Sequence, residues 1–382
     1  MTEIYIDITQ YITNRLNTGI QRVVKEYLIR EVKQNKNLYV LFYDLKNKNF
    51  SQIQNDEVLC FLENVAKYEF KNISKIDIFK ENKNKKIFFD IDSVWNSPLK
   101  RDGFYKELKE GNFLIYNFIY DLIPILFPHF MYEQTINNFK PYIDSIFKYS
   151  DFVFFDSNSA MQDFSKIQEK SNFPRKINKK VIYLGSDFNT SKNVEESRSS
   201  KYEKLLSKKY ILFVGTLEPR KNQELILDAF DELYKNNPDL NLIFIGKIGW
   251  NVENLVYKIN NHKLKDKNLF HLLDVEDSTL NKFYQNAYIV TYLSHYEGYG
   301  LPIIESLQYC NITLVSKNSS MPEVGGIYVE YIENNSKKSI ISIINQYLKN
   351  QALYTSKKSK IKDGFKAKNW ELFYFKISKY LT

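Results

Sequence analysis

SHYEGYGLPIIESL, residues 294–307, follows a β-branched and aromatic run that ends near Tyr292. It spells a strand-to-helix turn. Gly298 and Gly300 allow close backbone approach, Pro302 suits the first position of a helix, and Glu305 then falls in the first turn beside N–H groups without helical partners. Glu297 and Glu305 bracket the loop. Taken alone, the stretch is either a ligand-binding β–α turn or a Gly-rich turn with two exposed acids. Open parallel sheets take ligands at the carboxyl ends of their strands, so the flanking sequence decides between the two.

Working outward, residues 210–214, 240–245, 269–273, 287–292 and 312–315 are short apolar runs of buried-strand type, and residues 225–234 carry a helical period. Before them, residues 190–200 (TSKNVEESRSS) are polar and aperiodic, as a linker is. A first series precedes it, with strands expected at 4–8, 39–43, 87–89, 113–120, 152–155 and 181–184. Ile20, Val23, Val24, Tyr27, Leu28 and Val32 fall at amphipathic helical spacing, with Thr18 or Gly19 near the cap. The class is α/β with parallel sheets. At 382 residues the chain suits two domains of ~100–200 residues each. The expected layout is a Rossmann-like domain over 1–190, a linker over 191–200 and a second Rossmann-like domain over 201–360, around a central cleft. The segment 361–382 ends in the amphipathic string NWELFYFKISKYL, residues 369–381.

Composition removes several classes. Apolar residues are 43%, charged residues 26% and aromatic residues 16%, so the chain folds. Its formal charge of +9 admits nucleic acid, an anionic membrane or a phosphorylated small molecule. Only seven of the 54 basic residues are Arg, and Lys scattered over every segment reads as solvated surface, which disfavours nucleic acid. Cys60 and Cys310 stand alone, and His129, His262, His271 and His295 show no zinc spacing. A cytoplasmic protein is expected. The start MTEIYIDIT has no secretory pattern, and the most apolar stretch, 113–127, is broken by Asn117, Asp121 and Pro124. No G-x-x-x-x-G-K-[ST] or G-x-G-x-x-G string occurs, which disfavours an NTPase or a dinucleotide enzyme.

Several strings together carry a family resemblance. EGYGLPIIE (297–305), VGTLEPRKN (214–222), IGKIGW (245–250), MPEVGG (321–326), NTGIQRV (17–23), YDLIP (120–124) and VIYLGSD (181–187) occur in that family's order across the chain. In these the sequence resembles glycosyltransferase family 4, the retaining group 1 enzymes of GT-B fold, and is mannosyltransferase- or rhamnosyltransferase-like, with GTLEPRKN in the form of the mannosyltransferase relatives. The resemblance implies a GT-B fold whose C-terminal helix crosses back to the first domain. It implies a hexose moved from a nucleoside diphosphate sugar, GDP-mannose being the first choice, to a hydroxyl of a bacterial surface polysaccharide precursor such as O-antigen or capsule.

Carried over residue by residue, Glu305 holds the ribose hydroxyls and Glu297 contacts the donor hexose. Arg220 and Lys221 take the diphosphate, a planar fork and a point charge suited to a departing nucleoside diphosphate. Gly19 brings backbone N–H groups to the same phosphates, and Asp121 lies beside the acceptor. Gly215, Thr216, Gly246, Lys247, Gly298, Tyr299, Gly300 and Leu301 complete the donor-side loops. The family often has His before that Asp, whereas this chain reads Tyr120-Asp121. Thr216 stands where many relatives have Arg, and Leu293, Cys310 and Ile312 depart from the usual Pro, Gly and Pro. The resemblance implies neither cofactor nor metal.

Asp90-Ile91-Asp92 is a D-x-D after the strand at 87–89, read as a strand-end turn or an acceptor contact, with a divalent metal as the lesser reading. His295 is expected to pack or hydrogen-bond on its loop, and a catalytic role is the second reading. The expected partners are a nucleotide sugar and a glycan or lipid-linked glycan, with peripheral contact at the cytoplasmic face of the inner membrane through the acceptor. The oligomeric state stays open. The alternatives are a sugar-nucleotide epimerase on the same fold and a non-catalytic glycan-binding scaffold.

Overall fold

The computed structural model describes residues 1–15, 18–187, 202–333 and 336–382. Asn17 and the linker expected at 191–200 lie outside the described residues. The chain divides into two compact units, Met1–Gly185 with Lys368–Thr382, and Ser186–Ala367.

The first unit is built on a sheet of β1 (Thr2–Asp7), β2 (Leu38–Asp44), β3 (Asn49–Ile53), β4 (Ile73–Ile76), β5 (Lys85–Asp90), β6 (Phe113–Ile119), β7 (Phe152–Phe155) and β8 (Asn178–Val181), in the order β4-β3-β2-β1-β5-β6-β7-β8. β5 and β6 are buried almost throughout because helices cover both faces, hence their continuous apolar runs. Two features depart from the expected strands. β3 and β4 pair antiparallel at the edge; NFSQI and ISKI mix polar and apolar residues, as a half-solvated edge strand does, and so hide from a search for buried runs. The last strand lies at Asn178–Val181 instead of 181–184, because its ladder with β7 ends at Val181 opposite Phe155. An edge strand is recognised by pairing, and apolar content pointed one turn too far along.

The final helix, Trp370–Leu381, packs on the helix Gly19–Gln34. Trp370, Phe373, Ile377 and Leu381 are buried, the Tyr27 and Tyr374 rings meet, and Arg30 Nε pairs with Glu371 at 3.0 Å. A Cβ on Gly185 would lie 2.4 Å from the Trp370 amide nitrogen, so only glycine permits this approach.

The second unit has six parallel strands, β9 (Tyr210–Val214), β10 (Asn241–Ile245), β11 (Leu269–Leu272), β12 (Ile289–Tyr292), β13 (Ile312–Ser316) and β14 (Glu330–Ile332), ordered β11-β10-β9-β12-β13-β14. Connections run one way from β9 to β11 and the other way from β12 to β14. The order therefore reverses between β9 and β12, and a crevice opens at their carboxyl ends. Among the described residues no helix is long and apolar enough to cross a membrane.

Candidate functional site

Two glycines begin the loops beyond β9 and β10. Gly215 and Gly246 have φ of +144° and +149°, and the loops run side by side through Gly215 N–H to Ile245 O at 2.8 Å, Leu217 N–H to Lys247 O at 2.8 Å and Gly249 N–H to Leu217 O at 2.9 Å. A Cβ on Gly246 would sit 2.1 Å from Gly215 O. Gly246→Ala is therefore expected to lower stability by about 2 kcal/mol or more. Thermal unfolding checks it, and a melting temperature equal to the native one would refute the close approach.

The turn Pro219–Lys221 turns its two cations inward. Arg220 Nη2 lies 2.7 Å from Glu218 Oε1 and Nη1 lies 2.7 Å from Glu297 Oε1. Nη1 also donates to the Tyr296 carbonyl. The expected pair of phosphate-facing cations is thus unequal: Arg220 is buried and held by two carboxylates. Lys221 Nζ stands 3.4 Å from Glu218 Oε1, over Gly215, where a Cβ would come within 2.9 Å of it.

Glu297 is buried and accepts a 2.6 Å hydrogen bond from the Ser294 hydroxyl. Burial alone would push its carboxyl up, but the Arg220 and Lys221 charges and the Ser294 bond outweigh this and hold it below the ordinary glutamate range. The loop is clamped from both sides. His295 N–H donates to Arg220 O at 2.8 Å, and the Ser320 hydroxyl donates to the Glu297 and Tyr299 carbonyls, each at 2.9 Å. Glu297 N–H donates to Ser319 Oγ at 3.0 Å.

Glu305 lies farther into its helix than the sequence suggested. The helix is Leu301–Gln308, entered from Gly300 at φ +105°, so Glu305 is past the first turn. The Tyr284 hydroxyl donates to its Oε2 at 2.9 Å. Thr216 offers its carbonyl to Gln223 Nε2 at 2.9 Å, and the Lys247 side chain is exposed.

Structure thus gathers Gly215, Arg220, Lys221, Glu297 and the backbone at Gly246 and Lys247 around the β9–β12 crevice. Glu218, Tyr284, Ser319 and Ser320 are additions that sequence reading missed. Glu218 was visible two residues from Arg220 inside one short turn, whereas nothing local marks Ser319 or Ser320.

Gly19 and Asp121 belong to the first unit. Gly19 opens its helix with Thr18 as cap, and Asp121 Oδ1 accepts from Ile123 N–H at 2.9 Å. The D-x-D is internal. Asp90 is fully buried against Arg101, whose Nε is 2.7 Å from Asp90 Oδ2 and whose Nη2 is 2.6 Å from Asp7 Oδ2. Asp92 accepts from Tyr11 N–H at 2.9 Å and Gln21 Nε2 at 3.0 Å, and burial raises its carboxyl to about 6. Among the described residues no three His, Cys, Asp or Glu side chains gather as a metal site.

Residues 194–364 match the family "Glycosyl transferases group 1". Serotype-specific mannosyltransferase WbdA of Escherichia coli is 26% identical over 243 residues, 62% of this chain and 29% of WbdA. O-antigen chain mannosyltransferase B of Escherichia coli is 34% identical over 119 residues, 31% of each chain. The chain thus spans about three-tenths of the length of these relatives. Anabaena HepE, solved with UDP and glucose, superposes with a TM-score of 0.67 at 13% identity, covering 100% of this chain and 99% of that one. WaaG, a glycosyltransferase involved in lipopolysaccharide biosynthesis, gives 0.64 at 10% identity over the whole of both chains. The fold is GT-B.

Proposed function

We propose, from the match of its second unit to the group 1 glycosyltransferases, that the chain is a retaining hexosyltransferase. It moves a hexose from a nucleoside diphosphate sugar to a hydroxyl of a bacterial surface polysaccharide precursor, without a metal. The observation that carries this reading is the cluster of buried Arg220, Glu218 and Glu297, with half-buried Lys221 beside them, at the crevice where strand order reverses.

The glycine backbones at Gly215 and Gly246 let a diphosphate come close, and Lys221 supplies the cation that stabilises it as it departs. Glu305 holds the ribose hydroxyls. Glu297, kept ionised by Arg220, accepts hydrogen bonds from hexose hydroxyls. Arg220 acts through Glu297 and is a positioning residue in this scheme. With no protein nucleophile assigned, the acceptor hydroxyl attacks on the face the diphosphate leaves, and that phosphate takes its proton. The first unit serves the acceptor side through Asp121, and the reaction is cytoplasmic, at the membrane face where a lipid-linked acceptor resides.

The two Escherichia coli relatives, mannosyltransferases by name, favour GDP-mannose. HepE, solved with UDP-glucose, supports a UDP-sugar as the second reading. A thermal-shift screen of GDP, UDP and dTDP with their mannose, glucose and rhamnose conjugates, run in EDTA, tests both. One base class is expected to stabilise the protein by about 2.7 kcal/mol at a hundredfold excess over Kd, and that sugar is then transferred or slowly hydrolysed. Stabilisation by none, with no turnover, would overturn the function; activity restored only by a divalent cation would overturn metal independence.

A further inference from the structure

The first unit carries an open cavity of about 1080 Å³, just above the ~300–1,000 Å³ usual for small-molecule sites. It lies beyond the carboxyl ends of β1, β2 and β5. Strand order in this sheet reverses at β1 and β5, so the cavity occupies the place where an open α/β sheet takes a ligand. Neither Gly19 nor Asp121 lines it.

Its walls are mostly neutral amides and hydroxyls. Four of the amides form one hydrogen-bonded chain: Asn14 Nδ2 donates to Gln10 Oε1 at 2.7 Å, Gln10 Nε2 to Asn96 O at 3.1 Å, and Asn138 Nδ2 to Asn96 Oδ1 at 3.1 Å. Each primary amide offers two donor hydrogens and two acceptor sites. The chain therefore holds the amides in place and uses only part of their hydrogen-bonding capacity. The four charged lining residues are Asp44, Glu133, Lys46 and Lys100, which cancel. Lys100 Nζ is directed to Asn138 Oδ1 at 3.1 Å, and Asp44 accepts from the Lys46 and Asn47 amides. Such a lining lacks the cation excess that a phosphate or pyrophosphate needs.

We propose that this cavity is a subsite for a neutral oligosaccharide, holding several sugars of the acceptor away from the reacting hydroxyl. This rests on the glycosyltransferase reading and adds that recognition is of neutral glycan and not of an anionic headgroup. The test uses the full-length protein, the double variant Gln134→Ala/Asn138→Ala and the filling variant Asn137→Trp, with circular dichroism melting as the folding check. Tagged α-linked manno-oligosaccharides of one to five residues are the probes, in binding by calorimetry and as acceptors. Affinity is expected to rise about tenfold from the shortest to the longest probe, and KM as acceptor to fall in parallel; both gains disappear in the variants. No length dependence, or one that survives in both folded variants, overturns the inference, as does tighter binding of a phosphorylated glycan of equal length. Calorimetric binding abolished by Asn137→Trp upholds the subsite even where no sugar is transferred, in which case the enzymatic reading alone fails.

Discussion

Lys221→Ala is expected to lower kcat/KM for sugar transfer by about 10²–10³-fold, with the melting temperature nearly unchanged. Its Nζ is 3.4 Å from Glu218 and overlies Gly215, and Thr216 stands where a further cation could have been. The side chain takes part in one loose ion pair, so its removal leaves the fold intact. The charge matters most when the donor bond breaks and the diphosphate gains negative charge in a site with little water, where a fixed cation contributes several kcal/mol. The loss should fall chiefly on kcat. Steady-state transfer kinetics, with thermal shift by the nucleoside diphosphate alongside, measure it; turnover within about threefold of native would remove Lys221 from the reaction.

Arg220→Ala is expected to act first on stability, by about 3–5 kcal/mol, because it leaves the Glu218 and Glu297 carboxylates buried without their main partner. The pH dependence gives the sign independently. In the native protein the Glu297 carboxyl is depressed below its ordinary 4.5, so its contribution to stability is present above that value and is lost as pH falls through the lower folded one. Without Arg220, burial dominates and the carboxyl is pushed up, so the acid limb of both stability and activity moves to higher pH. Arg220→Met combined with Glu297→Gln should regain stability without regaining transfer, which separates folding from chemistry. Denaturant unfolding of the native protein and these two variants from pH 4 to 8 tests this. A single variant as stable as the native protein would mean the cluster is solvated and does not position Glu297.

The inner parallel strands of both units were legible because a strand covered on two faces must be apolar throughout, and such runs stand out at residues 87–89, 210–214 and 240–245; the short edge strand β14 was not expected, and β8 was expected three residues too late. β3 and β4 were not, since an edge strand with one wet face borrows its identity from its neighbour. The string EGYGLPIIE announced a β–α turn with two acids at the correct place in the chain. The D-x-D shows the opposite case: two carboxylates spaced as metal ligands fold against Arg101, Tyr11 and Gln21, because burial in this unit supplied them with internal partners.

Local spelling was enough for the α/β class, the glycines that let backbone meet backbone, and the residue types needed to hold a diphosphate sugar, since each of these depends on a few neighbours along the chain. Strand order decided the rest. By placing β12 beside β9, it brought the loop of Glu297 against the turn of Arg220, and so made one cation a buried partner and left the other for the ligand. Such a choice depends on the relative burial and mutual attraction of groups far apart in sequence, and these exist only once the sheet has formed.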